Sequence, residues 1–391
     1  MEICSFDKCT GCAACYNACR RQAITLYEDP IGHLRPKINE NKCINCGLCR
    51  KSCPVISPQP LLYPKECYAI ILPDTSDLGK SASGGAATAL MRSMVNSGGI
   101  VYGCTGEDIL NVKHIRVNDF AGIEKLRGSK YVQSFIGHVY QEVLDDLKSG
   151  RDVLFSGTPC QVAGLKAFLR KDYSNLITID LVCHGVPSQK MLTENINHYT
   201  DEKDGHNIKV AFRRKVKEKR KSILNYRIEY GWFIETIHTQ RINRKFYEDS
   251  YMFGFLQCLT FRDSCYACRY ATSARGSDIT LADFWGLGDD AKIDRGSGVS
   301  LCLINTEKGK MLLNQITSCV KIVERDVVEA IIGNGQLQRP SCRHSNHNKF
   351  RYLYPRVGLK ESIKECLKKE KFKLSVIAQL KSSIKRLFRY Q

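Results

Sequence analysis

A chain of 391 residues is too long for one small core and implies two or three domains, each able to bury an ordinary hydrophobic interior. Its 59 Lys and Arg against 40 Asp and Glu give a formal charge of +19, crowded around residues 213–221 and beyond Arg339, and its 20 cysteines would suit a secreted disulfide protein only behind a signal peptide. The start, Met1-Glu2-Ile3-Cys4, shows no such peptide, and no run approaches the roughly 18–20 apolar residues of a membrane-crossing helix; clustered cysteines then read as reduced thiolates on metal in the cytoplasm.

Residues 1–57 contain an internal repeat. Cys9, Cys12, Cys15 and Cys19 follow C-x2-C-x2-C-x3-C, and Cys43, Cys46, Cys49 and Cys53 repeat it, with Pro54 after the last. This is the spacing of a bacterial-type ferredoxin carrying two 4Fe-4S clusters, in which the fourth cysteine of each run serves the other cluster. The expected sets are therefore Cys9, Cys12, Cys15 and Cys53 for one cluster and Cys43, Cys46, Cys49 and Cys19 for the other. Gly11 and Gly47 fit loops that wrap closely and turn N–H groups toward sulfur. Arg20 departs from the pattern by standing where proline commonly follows the fourth cysteine. Two structural zinc sites are the alternative, since zinc also accepts four thiolates, and Cys4 reads as a small buried residue.

Residues 58–66, with Pro58, Pro60 and Pro64, read as an extended linker. From residue 67 to 342 apolar runs alternate with helical stretches. Strands are expected at 68–72, 100–102, 153–155, 176–182, 209–212, 224–230, 279–282 and 299–304, and helices at 86–95, 137–147, 161–169 and 189–199. The fold class is α/β with α+β elements: a ferredoxin module, then an α/β core on a mixed sheet. The charge run 213–221 reads as a solvated loop joining two strands, and no nucleic-acid fold signature accompanies it. Residues 343–391 form a basic, amphipathic helical tail, with Ile363, Leu367, Leu374, Ile377, Leu380, Ile384 and Leu387 spaced by threes and fours. It is a candidate for peripheral contact with the inner face of an anionic membrane, where each Lys or Arg near lipid contributes about 1 kcal/mol, the competing view being a helix docked on the core.

Ser81, Ser83, Gly84 and Gly85 lead into the helix at Ala86, where N–H groups and hydroxyls suit an anion such as a flavin pyrophosphate; a plain helix cap is the alternative. Gly79-Lys80-Ser81 fails as an ATP loop because Asp74 stands where its first glycine belongs, and no G-x-G-x-x-G follows an expected strand. Cys160 falls at a helix N-terminus, a position that lowers a thiol pKa.

Ser83-Gly84-Gly85, GSKYVQS at 128–134, GTPCQVAGL at 157–165, DLVCHGVPS at 180–188 and DITLADFWG at 278–286 occur in order. With them the chain resembles the coenzyme F-420 hydrogenase and dehydrogenase beta subunit family over roughly residues 5–345. The resemblance implies FAD beside a 4Fe-4S cluster, and electrons passed from a low-potential protein donor through clusters and flavin to a small-molecule hydride acceptor, or the reverse. Some relatives lie beside polysaccharide genes. Cys160, Cys183, Cys265 and Cys268 are the candidate ligands of a third 4Fe-4S cluster, similar to the family's core cluster, with Cys258 and Cys342 as rivals. Gly157, Thr158 and Asp283 join the serines and glycines above as candidate cofactor contacts, Lys130 and Arg275 as partners for a flavin phosphate or substrate carboxylate, and His184 as a proton relay. The expected function is an iron-sulfur, flavin-dependent oxidoreductase; the alternative is an electron-transfer subunit with no substrate site, feeding a partner enzyme.

Overall fold

The computed structural model describes residues 2–201, 208–220, 223–236, 242–374 and 376–377. The N-terminal repeat folds as helix α1 (Ala14–Ala18), a hairpin of β1 (Ile24–Glu28) and β2 (Leu34–Ile38) in register Ile24 to Ile38, and helix α2 (Leu48–Lys51). Its symmetry reaches the backbone. Gly11 and Ala13 flank Cys12 with φ of 66° and 61°, and Asn45 and Gly47 flank Cys46 with φ of 53° and 71°. Left-handed residues on either side of one cysteine curl each loop around it, a conformation that favours Gly and Asn.

The core runs β3 (Glu66–Ile71), α3 (Thr75–Lys80), α4 (Ala86–Asn96), β4 (Ile100–Thr105), β5 (Lys113–Val117), α5 (Phe120–Leu126), α6 (Val139–Lys148), β6 (Val153–Gly157), α7 (Pro159–Leu169), β7 (Leu176–Leu181) and α8 (Gln189–Asn197). Then follow β8 (Lys209–Arg220), β9 (Ile223–Glu235), β10 (Ile242–Lys245), α9 (Ser250–Leu256), β11 (Ile279–Asp283), β12 (Ser300–Ile304), α10 (Glu307–Asn314), β13 (Lys321–Arg325), α11 (Val327–Gly333) and α12 (His347–Cys366). Eight strands form one mixed sheet in the order β13-β3-β12-β11-β7-β6-β4-β5. Neighbours β4, β6, β7 and β11 are parallel, with antiparallel strands at both edges. Helices α4, α5 and α10 contribute to the apolar cluster on one face, α6 and α7 to that on the other, so the central strands are buried on both sides and read as continuous apolar runs. In such sheets ligands gather beyond the carboxyl ends of the parallel strands, where β6 leads into Cys160 and β7 into Cys183.

One expectation is corrected. The charge run from Arg213 is not a loop: β8 continues to Arg220, pairing Arg213 with Tyr230 and Arg220 with Ile223 in a separate sheet ordered β10-β9-β8. Strand alternation sends Arg213 and Lys215 one way and Arg214 the other, which lets Arg213 meet Asp283 while Arg214 pairs with Glu229 and lies over the Phe233 ring. Residue 221 lies outside the described residues. The first half of the tail follows the second of its two expected readings, a helix docked on the core. Phe350, Tyr354, Leu359, Ile363, Cys366 and Leu367 are buried in one cluster with residues of α8, α9 and the β8–β9 hairpin, α12 bending at Gly358, where φ is 76°. Leu380, Ile384 and Leu387 lie outside the described residues. No described helix is long and apolar enough to cross a membrane.

The expected linker is extended and stitched down: Leu62 and Arg275 exchange two backbone hydrogen bonds of 2.7 Å.

Candidate metal centres

Cys9, Cys12, Cys15 and Cys53 line one cavity in the N-terminal module, the crossed set that the spacing implies. Burial pushes the Cys12 thiol up to about 12 and Cys15 well above its ordinary range, and neighbouring thiols add to both. Cys4, which the sequence offers as a packing residue, stands on the same wall and hydrogen-bonds with Cys53 and Cys9, which holds Cys9 down at about 5 and Cys53 at about 7 while Cys4 itself rises. Cys49 is raised by burial and by neighbouring Cys19 and Cys43, so the second set also gathers across the repeat. Its fourth member, Cys46, is exposed on the same loop.

In the core, Cys160, Cys183, Cys265 and Cys268 are electrostatic neighbours. Burial, reinforced by neighbouring thiols, pushes Cys160 up to about 12 and Cys183 to about 11 and raises Cys265, and burial alone raises Cys268. Cys160 thereby reverses its expectation. It does sit in the first turn of α7, behind Pro159 and a Thr158–Gln161 capping box, but desolvation outweighs the helix dipole and the Thr158 hydroxyl. Of the rivals, Cys258 lies against His184, next in sequence to Cys183, and near Ser341 and Cys342.

Left-handed loops and a cavity walled by Cys4, Cys9, Cys12, Cys15 and Cys53 fit a 4Fe-4S cluster, which like zinc takes four thiolates.

The module docks so that two sulfur nests face one another. Cys12 feels Cys160, and a Cβ on Gly164 of α7 would lie 2.9 Å from the Cys12 sulfur. Tyr140 and Tyr270 are near thiols of both nests. Arg262, fully buried, binds the two sides together: its guanidinium donates to the carbonyls of Cys9 (3.3 Å) and Leu34 (2.9 Å) and to Gln133 (2.9 Å), while its charge acts on Cys9, Cys160 and Cys265. Gly11 makes this approach possible, since a Cβ there would meet the guanidinium at 2.6 Å. A buried pair, Arg35 with Asp29 at 3.0 Å, reaches on to Asp263 of the core at 3.4 Å.

The expected flavin contacts do not all meet. Ser81 donates to the Asp77 carbonyl and accepts from Arg127, and Ser83 donates to the Val299 carbonyl. Gly84 and Gly85 are needed for close packing, on the Ile70 carbonyl and on Leu72. Lys130 turns inward to the carbonyls of Leu126 and Arg127, and Arg275 is buried in an ion pair with Asp180. Thr158 caps α7, with Gly157 packed on Gln161 and Phe155. His184 is held edge-on by Phe255 and Phe261, and burial lowers its pKa. Of these residues Ser81 lines a cavity of about 250 Å³, with Gly79, Lys80, Ala82, Gly128, Ser129 and, from the hairpin, Arg213, Arg214, Lys215 and Ile228. The Lys215 amine donates to the carbonyls of Leu78 and Ser83, both at 2.7 Å.

Residues 150–330 match the family described as the C terminus of the coenzyme F420 hydrogenase/dehydrogenase beta subunit, and residues 8–56 match the 4Fe-4S dicluster domain. The chain is thus similar to that family's C-terminal region over residues 150–330, behind a segment similar to the 4Fe-4S dicluster domain. No curated protein matches it. Among solved structures, a chain of the F420-reducing [NiFe] hydrogenase complex from Methanosarcina barkeri is 17% identical over 79% of this chain and 92% of that one, with a TM-score of 0.46. The beta-subunit family is one of oxidoreductase subunits, and the dicluster domain makes iron-sulfur electron transfer the chemistry of its N-terminal module.

Proposed function

We propose that this chain is an iron-sulfur, flavin-dependent oxidoreductase subunit that moves electrons between a protein partner and a small hydride acceptor through three aligned cysteine nests. The observation that carries the reading is the contact of Cys12 with α7, whose first turn bears Cys160, so that the ferredoxin module rests on the core's four cysteines. Cys43, Cys46, Cys49 and Cys19 would hold the outer cluster, Cys9, Cys12, Cys15 and Cys53 the middle one, and Cys160, Cys183, Cys265 and Cys268 the core one. Bound there, 4Fe-4S clusters supply one-electron exchange and FAD the conversion between single electrons and a hydride.

The chain's own residues then have distinct tasks. Burial of Cys12, Cys15, Cys160 and Cys265 keeps water from the path. The basic cavity of Lys80, Arg213, Arg214 and Lys215 takes the flavin phosphates, since a dianion there relieves crowded positive charge. His184, beside Cys183 and favoured neutral by burial, would accept a proton in hydride-level chemistry. The relay reading, with no flavin, is favoured by the internal commitments of Ser81, Ser83, Lys130 and Arg275. Acid extraction of anaerobically purified protein separates the two: about one FAD per chain, lost in Lys215→Met with iron unchanged, supports the flavoenzyme, and a flavin-free parent leaves the relay.

A further inference from the structure

The two halves of the N-terminal repeat are alike in backbone but opposite in surroundings. The loop around Cys12 lies beneath Arg262 and Gln133. Its counterpart around Cys46 is open: a Cβ on Gly47 would meet nothing within 4 Å, Cys46 is exposed and Ile44 is 61% exposed. The sequence sets cations around this open loop. Lys42 precedes Cys43, Arg50 and Lys51 follow Cys49, and Arg20 and Arg21 follow Cys19, which gathers with Cys43 and Cys49. All five are exposed, and the only carboxylate in the same segments is Glu40. Among the described residues Arg20, Arg21, Lys42 and Lys51 form no ion pair.

We infer that this face, an exposed apolar Ile44 with the exposed cations Arg20, Arg21, Lys42, Arg50 and Lys51 beside the cysteines of the same set, is the docking surface for an acidic one-electron carrier protein. The inference rests on the proposed outer cluster and adds where its partner binds and what charge that partner bears. Opposite charges steer encounter and raise association rates by one to three orders of magnitude, an effect that salt removes. The burial of the opposite loop leaves this one as the exposed end of the path, and the apolar residue at its centre supplies a contact that desolvates on docking.

Stopped-flow reduction of the anaerobic holoprotein by an acidic flavodoxin hydroquinone tests this. The second-order rate is expected to fall about tenfold between about 0.05 M and about 0.5 M salt, as the screening length shortens. Lys42→Glu/Lys51→Glu is expected to react about tenfold more slowly at low salt and to lose most of the salt dependence. Both proteins should carry the same iron and reach the same end point with excess dithionite, so a lost cluster is distinguished from a lost docking face. A rate indifferent to salt, or a charge-reversed variant as fast as its parent, overturns the docking surface while leaving the electron path intact. Equal rates with a flavodoxin whose carboxylates have been amidated also overturn it. An iron-free module overturns both.

Discussion

Replacing Arg275 by Met separates a structural from a ligand-binding role for that residue. Its guanidinium and the Asp180 carboxylate are each 1% exposed and 3.0 Å apart. Further donors reach the carbonyls of Tyr270 (2.7 Å), Leu181 (3.1 Å) and Thr272 (3.3 Å) and the Thr280 hydroxyl (3.2 Å). Met removes the charge and leaves Asp180 buried with, among the described residues, the Thr280 hydroxyl at 2.7 Å to stabilise it. Breaking one side of such a pair costs about 3–5 kcal/mol. With an unfolding entropy near 2.1 cal/mol/K per residue, the 391-residue chain should lose about 4–6 °C in Tm. Because Tyr270 and Thr272 lie just beyond Cys268, the core cluster should also load poorly. Arg275→Met/Asp180→Asn should recover part of the stability, since no charge is then stranded. Thermal unfolding and iron analysis of the two variants check this. A stable Arg275→Met protein with full iron and weakened flavin binding would show that Arg275 serves a ligand.

Arg262→Met removes a buried positive charge beside Cys9, Cys160 and Cys265, so redox titration followed by EPR should find potentials lowered by roughly 50–100 mV, the scale of one charge at short range in a protein interior. Burial, with Arg213 and Arg127 adding and Asp283 opposing, lowers the Lys215 amine to about 7. The penalty for burying its charge is thus fully present below pH 7 and relieved as pH rises toward the ordinary lysine range. Denaturant titrations should find the parent gaining stability relative to Lys215→Met between pH 7 and 10. Asp29→Asn weakens the Arg35 pair and the caps that Asp29 offers to the N–H groups of Ile31 and His33; limited proteolysis should release the N-terminal module at lower denaturant than in the parent.

The N-terminal module was legible because cluster ligation fixes cysteine spacing, and spacing is a one-dimensional quantity. The central strands were legible for a similar reason, being short apolar runs between helices. Edge strands β5 and β13 escaped because three of the five residues in each are polar, as edges permit. Both hairpin strands were expected, at 209–212 and 224–230, but the continuation of β8 escaped because the run from Arg213 to Lys217 has the composition of a loop, and pairing with β9 and the carboxylates of Asp283 and Glu229 makes it a strand. Arg262 carried no signal, since its partners Cys9, Leu34 and Gln133 lie more than a hundred residues away in sequence. Cys4 could have been suspected from lying five residues before Cys9. Arg275 and Lys130 suggest anion binders on charge alone, whereas Asp180 and backbone carbonyls use their donors. The face of α12 was visible in its apolar spacing, but not the core against which it packs.

The central claim is that three nests of thiols, two in the module and one in the core, each hold a cubane. Iron and acid-labile sulfide analysis of protein purified without oxygen tests it most directly, on the parent and on Cys160→Ala/Cys268→Ala. About twelve irons per chain in the parent and about eight in the variant are predicted. Eight in both would contradict the core nest, and a colourless, iron-free parent would contradict the whole path.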